Sequence, residues 1–353
     1  MKTQIVIFCL LLAFLFGSSA FAYCNIADLG VLSGSYSSAY AINANGQVVG
    51  YASTTNNYYE HAFLYSESKM TDLGTLGGTH SYGYAINGNG QVVGYAYTTS
   101  NTDTHAFLYS GSTMTDLGTL GGRTSFARGI NSSGQVVGDS RIKGDSYFHA
   151  FLYNGSTMTD LGTLGSGWCS RANAINDNGQ VAGWSYTNLT NYEHAFLYSG
   201  SIMKNLGTLG GTCSRAFGIN ASGQVVGWAY TTDNLGHAFL YDGSTMIDLG
   251  TLGGFYSCGL GINTSGQVVG ESYYTYGVDS HAFLYSNSRM IDLNSFIDPT
   301  LGWTLKSATG INDNGQIVGY GYHNGELRAF LLTIPEPATL SLVALGLLAL
   351  RKK

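Results

Sequence analysis

Five histidines stand eleven residues before an aspartate: His61 and Asp72, His105 and Asp116, His149 and Asp160, His237 and Asp248, His281 and Asp292. A sixth, His194, has the same spacing to Asn205. A histidine bonded to a carboxylate is half of an acid–base dyad or part of a metal site. Repetition argues for something plainer. A catalytic group is needed once, whereas a cross-strand hydrogen-bonded pair recurs when every structural unit needs it. These are therefore read as structural pairs. With Asn154-Gly155 as a two-residue turn, His149 would lie directly opposite Asp160 and Phe151 opposite Met158.

Chemistry is better sought where the repetition breaks. The residue after each Gln-Val-Val-Gly or its variant is aromatic at Tyr51, Tyr95, Trp184, Trp228 and Tyr320, but acidic at Asp139 and Glu271. The preceding segments carry Arg128, Arg171 and Arg215. Carboxylates and arginines around a central channel suit an acid–base site or the binding of a sugar acid; the alternative is a solvated channel mouth. No Ser-His-Asp spacing, phosphate loop or Cys-x-x-Cys pattern accompanies them. No catalytic residue, metal or cofactor is expected.

These residues sit in a repeat. The glycine opening Gly-Gln-Val-Val-Gly recurs at Gly46, Gly90, Gly134, Gly179, Gly223, Gly266 and Gly315, 43 to 49 residues apart. A period this long signals a propeller, a solenoid or an array. Each unit has four strand-length segments: a, ending in Ile-Asn; b, Gln-Val-Val-Gly and its extension; c, His-Ala-Phe-Leu-Tyr; and d, Met-x-Asp-Leu-Gly. Asn-x-x-Gly between a and b fits a type I turn with a left-handed glycine. Four antiparallel strands per unit make a propeller blade. The repeat region, residues 23–333, begins with a lone d segment, from Ile26, and ends on a, b and c. Seven complete blades therefore require the first strand to finish the last blade, which closes a ring and protects its edges. In blade 7 the positions of the His–Asp pair are taken by Arg328 and Asp28, and they are expected to meet. The expected fold is an all-β, seven-bladed β-propeller over residues 23–333, with a long inter-blade loop at Asp298 to Trp303.

Composition agrees. Charged residues are 10% of the chain and glycines number 50 of 353, against typical values of about 25% and about 7%. The net charge of −6 argues against a nucleic-acid partner, which is bound by neutralising cations. Residues 1–22 read as a secretory signal: Lys2, an apolar stretch from Ile5 to Phe16, then Ala20-Phe21-Ala22. Residues 334–353 combine Pro335-Glu336-Pro337, a short apolar run read as a transmembrane helix, and Arg351-Lys352-Lys353. Cys24, Cys169, Cys213 and Cys258 remain in the body; a Cys169–Cys213 bridge is compatible with an oxidising compartment.

On these motifs the tail resembles the PEP-CTERM sorting signal of Gram-negative bacteria. The body resembles the HAF family of extracellular repeats, named for the His-Ala-Phe found here at His61, His105, His149, His194, His237 and His281. The first resemblance implies an exosortase-type processing enzyme as partner, a context of exopolysaccharide production, and transient anchoring in the inner membrane by the tail. The second carries an address and an architecture but no established activity. The expected function is that of an exported, non-catalytic binding or matrix protein of the envelope or exopolysaccharide layer, with exopolysaccharide or envelope proteins as partners. A propeller-type polysaccharide lyase or hydrolase and a purely structural matrix component are the alternatives. The variable b–c connections are the candidate ligand surface, through Tyr58, Tyr59, Tyr192, Tyr273, Tyr274 and Tyr276.

Overall fold

The computed structural model describes residues 23–187, 192–274 and 279–334. Its 28 strands fall into seven antiparallel groups of four, so the expected β-propeller is the fold. Blade 5 shows the unit whole: a at Gly210–Ile219, b at Val225–Thr231, c at Gly236–Tyr241 and d at Met246–Asp248. Strands a of successive blades touch one another around the ring. They line the axis, and strands d form the rim.

The core lies in slabs between blades rather than at one centre. Val49, Ala62 and Leu73 of blade 1 pack on Ile86, Val92, Ala96 and Phe107 of blade 2, and the pattern repeats around the ring. The phenylalanine of each His-Ala-Phe, such as Phe107 and Phe196, is fully buried. Each contributes about 1.5–3 kcal/mol of apolar burial. The glycine closing Val-Val-Gly is needed for space. A Cβ on Gly94 would come 1.8 Å from the Tyr82 carbonyl oxygen, where strand a bulges.

The asparagine of each Ile-Asn joins the blades. Asn220 Nδ2 donates to Gln224 Oε1 at 2.8 Å in its own turn and to the Asn263 carbonyl of the next blade at 3.1 Å. Its Oδ1 accepts from Gln224 N–H at 3.0 Å. Equivalent inter-blade bonds run Asn43→Asn87→Asn131→Asn176→Asn220→Asn263→Asn312→Asn43, at 3.0–3.5 Å. The last closes the ring across the two ends of the chain. A serine does similar work nearer the other face: Ser81 Oγ accepts from Ala62 N–H and donates to the Gly74 carbonyl, tying strand a of blade 2 to strands c and d of blade 1.

The c–d register differs from expectation by two residues. Phe151, not His149, is opposite Asp160, and Tyr153 is opposite Met158. Asn154 and Thr157 bracket the turn, and Gly155 takes φ +100° at its first central position. That is the place a II′ turn reserves for glycine, so the loop is Gly155-Ser156. A slip of two keeps every side chain on its face. His149 consequently still reaches Asp160, diagonally, at 2.7 Å.

The N-terminal strand Asn25–Asp28 pairs with Glu326–Thr333 and completes blade 7. Asp28 does meet Arg328, but at 3.7 Å; its close partner is His323 Nδ1 at 2.9 Å. Arg328 also bonds Glu326 and the Ser35 carbonyl. The segment expected as a loop, Asp298 to Trp303, contains one 3-10 turn, Pro299–Leu301, and the linker begins before it with another, Leu293–Phe296. It plugs the blade 6–7 junction by burying Leu293, Phe296 and Ile297 against Leu305. Cys24, Cys169, Cys213 and Cys258 are all free thiols, and Cys169 and Cys213 form no bridge. Burial pushes the Cys24 thiol up to about 11.

Asn220→Ala should destabilise the protein by about 1–3 kcal/mol in urea unfolding, because it strands buried groups on two blades. Ser244→Ala, in an exposed turn, should fall within about 0.5 kcal/mol of wild type. Equal midpoints for the two variants would show that the asparagine ring does not hold the blades.

Candidate functional site

The residue after Val-Val-Gly on each strand b reaches from its own strand a toward strand a of the next blade. Seven such positions make a layer around the inner wall, and the layer is not sevenfold. In blades 1 and 2 it is a tyrosine cluster. Tyr40 stacks on Tyr84 at 4.9 Å between ring centres, Tyr82 on Tyr95 at 4.7 Å, and Tyr51 bridges Tyr40 and Tyr82. Burial, above all, raises the hydroxyl pKa of Tyr40, Tyr82 and Tyr95 beyond the ordinary range. Glu60 accepts from the hydroxyls of Tyr36 and Tyr82.

In blades 3 to 5 the layer is Asp139, Trp184 and Trp228, and strands a set Arg128, Arg171 and Arg215 against it. Asp139 Oδ1 receives Arg128 Nε at 2.6 Å and lies 3.0 Å from Arg171 Nε of the next blade. Glu193 Oε1 receives Arg215 Nε at 2.5 Å. The guanidinium groups lie against aromatic faces: Arg128 near Tyr84 and Phe126, Arg171 near Phe148 and Trp184, Arg215 near Trp184 and Trp228, at 4.8–5.8 Å. Burial opposes the charge on both Arg128 and Arg171. Attraction to Asp139 outweighs it at Arg128, whose pKa is raised. At Arg171 burial and repulsion from Arg128 and Arg215 prevail over Asp139, and the pKa is lowered.

The structure thus gathers Arg128, Arg171, Arg215 and Asp139 into one cluster and leaves Glu271 apart, in blade 6. The cluster is not a solvated mouth. Asp139 is 3% exposed and shared by two arginines, which suits a group that positions arginines and not one that exchanges protons with a substrate. Burial raises the Glu271 carboxyl above its ordinary value, offset only in part by the Ser307 hydroxyl. Glu193 and Glu60 were not singled out in the sequence. Their signal is an acid directly before His-Ala-Phe, found only in blades 4 and 1.

The candidate tyrosines reach one face but not one site. Tyr58 and Tyr59 belong to blade 1, Tyr192 to blade 4, Tyr273 and Tyr274 to blade 6; no two of these blades are neighbours. Tyr276 lies outside the described residues. Tyr58, Tyr59, Tyr192 and Tyr274 are exposed, and Tyr274 stacks on His281. Tyr273 lines a groove of about 260 Å³ with Tyr230, Leu235, Phe255 and Tyr256. Its far wall is the d–a connection from blade 5 into blade 6, where Phe255 exposes apolar surface, and Leu235 of the blade 5 b–c connection adds to it. A second aromatic set, Tyr147, Trp168 and Tyr186, straddles blades 3 and 4 on the same face. Phe255 and Trp168 lie in d–a connections, not in the variable b–c connections that mark the candidate surface in the sequence. Both stand where other units carry a small or polar residue after Leu-Gly-Gly.

The His–Asp pairs are rim staples. In blade 1, Asp72 accepts from His61 Nδ1 at 2.8 Å and from Gly74 N–H at 2.7 Å. The second bond explains why the motif is Asp-Leu-Gly: the aspartate caps its own turn. His105, His149, His237 and His281 repeat the pairing with Asp116, Asp160, Asp248 and Asp292, and His194 meets Asn205. Among the described residues no group of three or more His, Cys, Asp or Glu could hold a metal ion.

Fold and wall together define a closed seven-bladed propeller with an asymmetric interior. A family model described as "protein of unknown function (DUF3466)" matches residues 30–120, less than half of the chain. No curated protein matches. Among solved structures, the chain is similar to the β-propeller domain of the Trilobed protease from Pyrococcus furiosus, with TM-score 0.57 and 8% identity over 86% of this chain and 96% of that one. That domain is described as having an open velcro topology; here the N-terminal strand closes the ring. Weaker similarities reach TolB from Acinetobacter baumannii, with TM-score 0.47 and 10% identity over 81% of this chain and 63% of that one, and a Xanthomonas campestris gluconolactonase, with TM-score 0.42 and 10% identity over 91% and 94%. At these identities the likeness is one of fold. Among the described residues no helix is long and apolar enough to cross a membrane; the segment read as a helix, 338–350, lies outside them.

The staples carry a pH signature. Burial raises the Asp72 and Asp160 carboxyls, but bonds from histidine and from the glycine N–H outweigh it, and both pKa values are lowered. Their stabilisation is complete above the unfolded-state value, about 3.9, and is lost as pH falls through the lower folded value. Each pair is partly exposed and worth about 0–1 kcal/mol. The melting temperature should therefore fall as pH drops from about 5 to about 2, less steeply in Asp72→Asn/Asp160→Asn. An unchanged slope in the double variant would count against the staple.

Proposed function

We propose that this chain is an exported, non-catalytic glycan-binding protein of the bacterial envelope or exopolysaccharide layer, and that its ligand face is the one bearing the b–c and d–a connections. The observation that carries the reading is the groove between blades 5 and 6. Tyr230, Phe255, Tyr256 and Tyr273 surround it on a rigid frame, offering aromatic faces to the apolar C–H faces of a sugar. Asn234 and the tyrosine hydroxyls supply donors and acceptors for its hydroxyl groups. The a–b and c–d turns of the opposite face are short and engaged in holding the ring. Binding is favoured over catalysis because Asp139, the most promising inner carboxylate, is consumed by two arginines.

A glycan array with the purified chain, followed by titration of any neutral exopolysaccharide that binds, tests the reading. Phe255→Ala/Tyr273→Ala should weaken binding by about 1–3 kcal/mol, while Tyr58→Ala should leave it unchanged. No binding on the array, or equal affinity in the double variant, would remove the groove as a glycan site.

In the same reading the PEP-CTERM-like tail around Pro335, Glu336 and Pro337 is cut by an exosortase-type enzyme after transient anchoring. Mass spectrometry of protein from its native host should find both 1–22 and the C-terminal tail missing. Mature material ending at Lys353 would refute the processing.

A further inference from the structure

The cationic wall holds more charge than it uses. Three guanidinium groups, Arg128, Arg171 and Arg215, face two carboxylates, Asp139 and Glu193. The cluster therefore carries one uncompensated positive charge. Both carboxylates are buried, 3% and 9% exposed, while the arginines become more exposed from blade 3 to blade 5, at 18%, 30% and 37%. Arg128 and Arg215 are hydrogen-bonded through Nε, whereas Arg171 Nε lies 3.0 Å from Asp139 Oδ1 without a hydrogen bond. Among the described residues none of their Nη nitrogens makes a hydrogen bond to protein. The aromatic neighbours keep the forks from swinging: Arg215 lies 4.8 Å from the Trp184 ring and 5.8 Å from Trp228. The carboxylates thus sit at the Nε edges of the guanidinium groups, and the Nη donors are left over.

A fixed, half-buried array of guanidinium donors with one excess charge fits a singly charged planar oxyanion, which arginine engages through two parallel bonds. A phosphomonoester, close to doubly charged at neutral pH, would leave a negative excess at a site with little solvent to screen it. Beside the arginines the layer holds tyrosines, with Tyr40, Tyr84 and Tyr95 next along the wall from Arg128, and Glu271 stands apart in blade 6. Phenolic hydroxyls and aromatic edges suit a polyol.

We propose that the Arg128–Arg171–Arg215 wall is a second binding site, separate from the aromatic groove, that takes the carboxylate of an acidic sugar. The ligand is a hexuronate, either free or as a residue of an acidic polysaccharide. Asp139 and Glu193 are positioning residues that set the direction of the guanidinium forks. The overall acidity of the chain does not oppose this, because the field of the cluster acts at contact whereas surface charges are screened over about 8 Å at physiological salt.

Calorimetric titration of the full chain separates the cases, using D-glucuronate, polygalacturonate, D-glucose and inorganic phosphate as probes. Saturable binding of glucuronate, or of polygalacturonate alone if a polymer is the natural source, is expected, with glucose and phosphate weaker. Arg171→Lys and Arg215→Lys keep the charge and the ion pairs but lose the fork, and should weaken uronate binding at least about tenfold. Phe255→Ala/Tyr273→Ala should leave it unchanged, so the failure of one site is distinguishable from failure of the other. A measurement on the unaltered chain covers poorly folding variants: glucuronate or polygalacturonate, whichever binds, should slow phenylglyoxal labelling of Arg171 and Arg215, and glucose should not. Absence of uronate binding, phosphate binding as tight as uronate, equal affinity in well-folded lysine variants, or labelling unaffected by the bound uronate would each overturn the proposal.

Discussion

Everything in this structure depends on one amide group per blade. The asparagine at the end of strand a spends one N–H on its own turn and the other on the neighbouring blade, while its oxygen accepts from the turn backbone. A blade cannot bury its hydrophobic face alone, and packing by itself leaves the angle between blades soft. A buried amide with every donor and acceptor used has one geometry, and leaving any of them unpaired is costly. Seven such amides in a closed cycle set the angle between blades, and hence their number. The serine bond between blades acts nearer the opposite face. Each junction is therefore held at two heights.

This division of labour leaves the strand b position after Val-Val-Gly without a structural duty. Its neighbours are fixed from above and below, so it tolerates tyrosine, tryptophan, aspartate or glutamate. Here the ring departs furthest from symmetry: stacked tyrosines in blades 1 and 2, guanidinium groups in blades 3 to 5, and a buried carboxyl at Glu271 in blade 6. The chemical asymmetry is carried by a scaffold that does not share it. The outer face follows the same logic, since the aromatic groove appears where the d–a connection from blade 5 into blade 6 carries Phe255.

The closing junctions are built differently from the rest. Blade 7 has no covalent c–d hairpin, and its staple draws His323 from strand b onto Asp28 rather than using strand c alone. The preceding junction replaces the serine bond with apolar packing of Leu305 on Leu293 and Phe296, and Asn294 bonds both Leu305 backbone groups. It is also where the asparagine contact is longest, 3.5 Å from Asn263 to the Asn312 carbonyl. An insertion that widens one junction thus brings its own hydrophobic plug.

Blade count, strand order and the phase of closure were legible in the sequence because each is a local or periodic property. Glycine turns, the Val-Val-Gly strand and the lone first d segment repeat at fixed spacing, and a ring has one way of using that offset. The eleven-residue His–Asp spacing revealed its pairing even though the register was misjudged, since a slip of two leaves faces unchanged. Tertiary structure alone decided the rest. Gly155 moved the turn by one residue because a left-handed position falls on it and not on Asn154. Arg171 found Asp139 of the preceding blade, and Arg215 found Glu193 across the same 22 residues that separate Tyr82 from Glu60; the acid before His-Ala-Phe marks the second pair, but nothing in the sequence marks the first. The tyrosines of three b–c connections look equivalent in sequence, yet Tyr273 lines a groove with Phe255 and Tyr256, Tyr59 meets His80 of the next blade, and Tyr58 stays exposed. Periodicity encodes what every blade does, whereas a site is made by residues that differ between blades, and only packing settles which of those become neighbours.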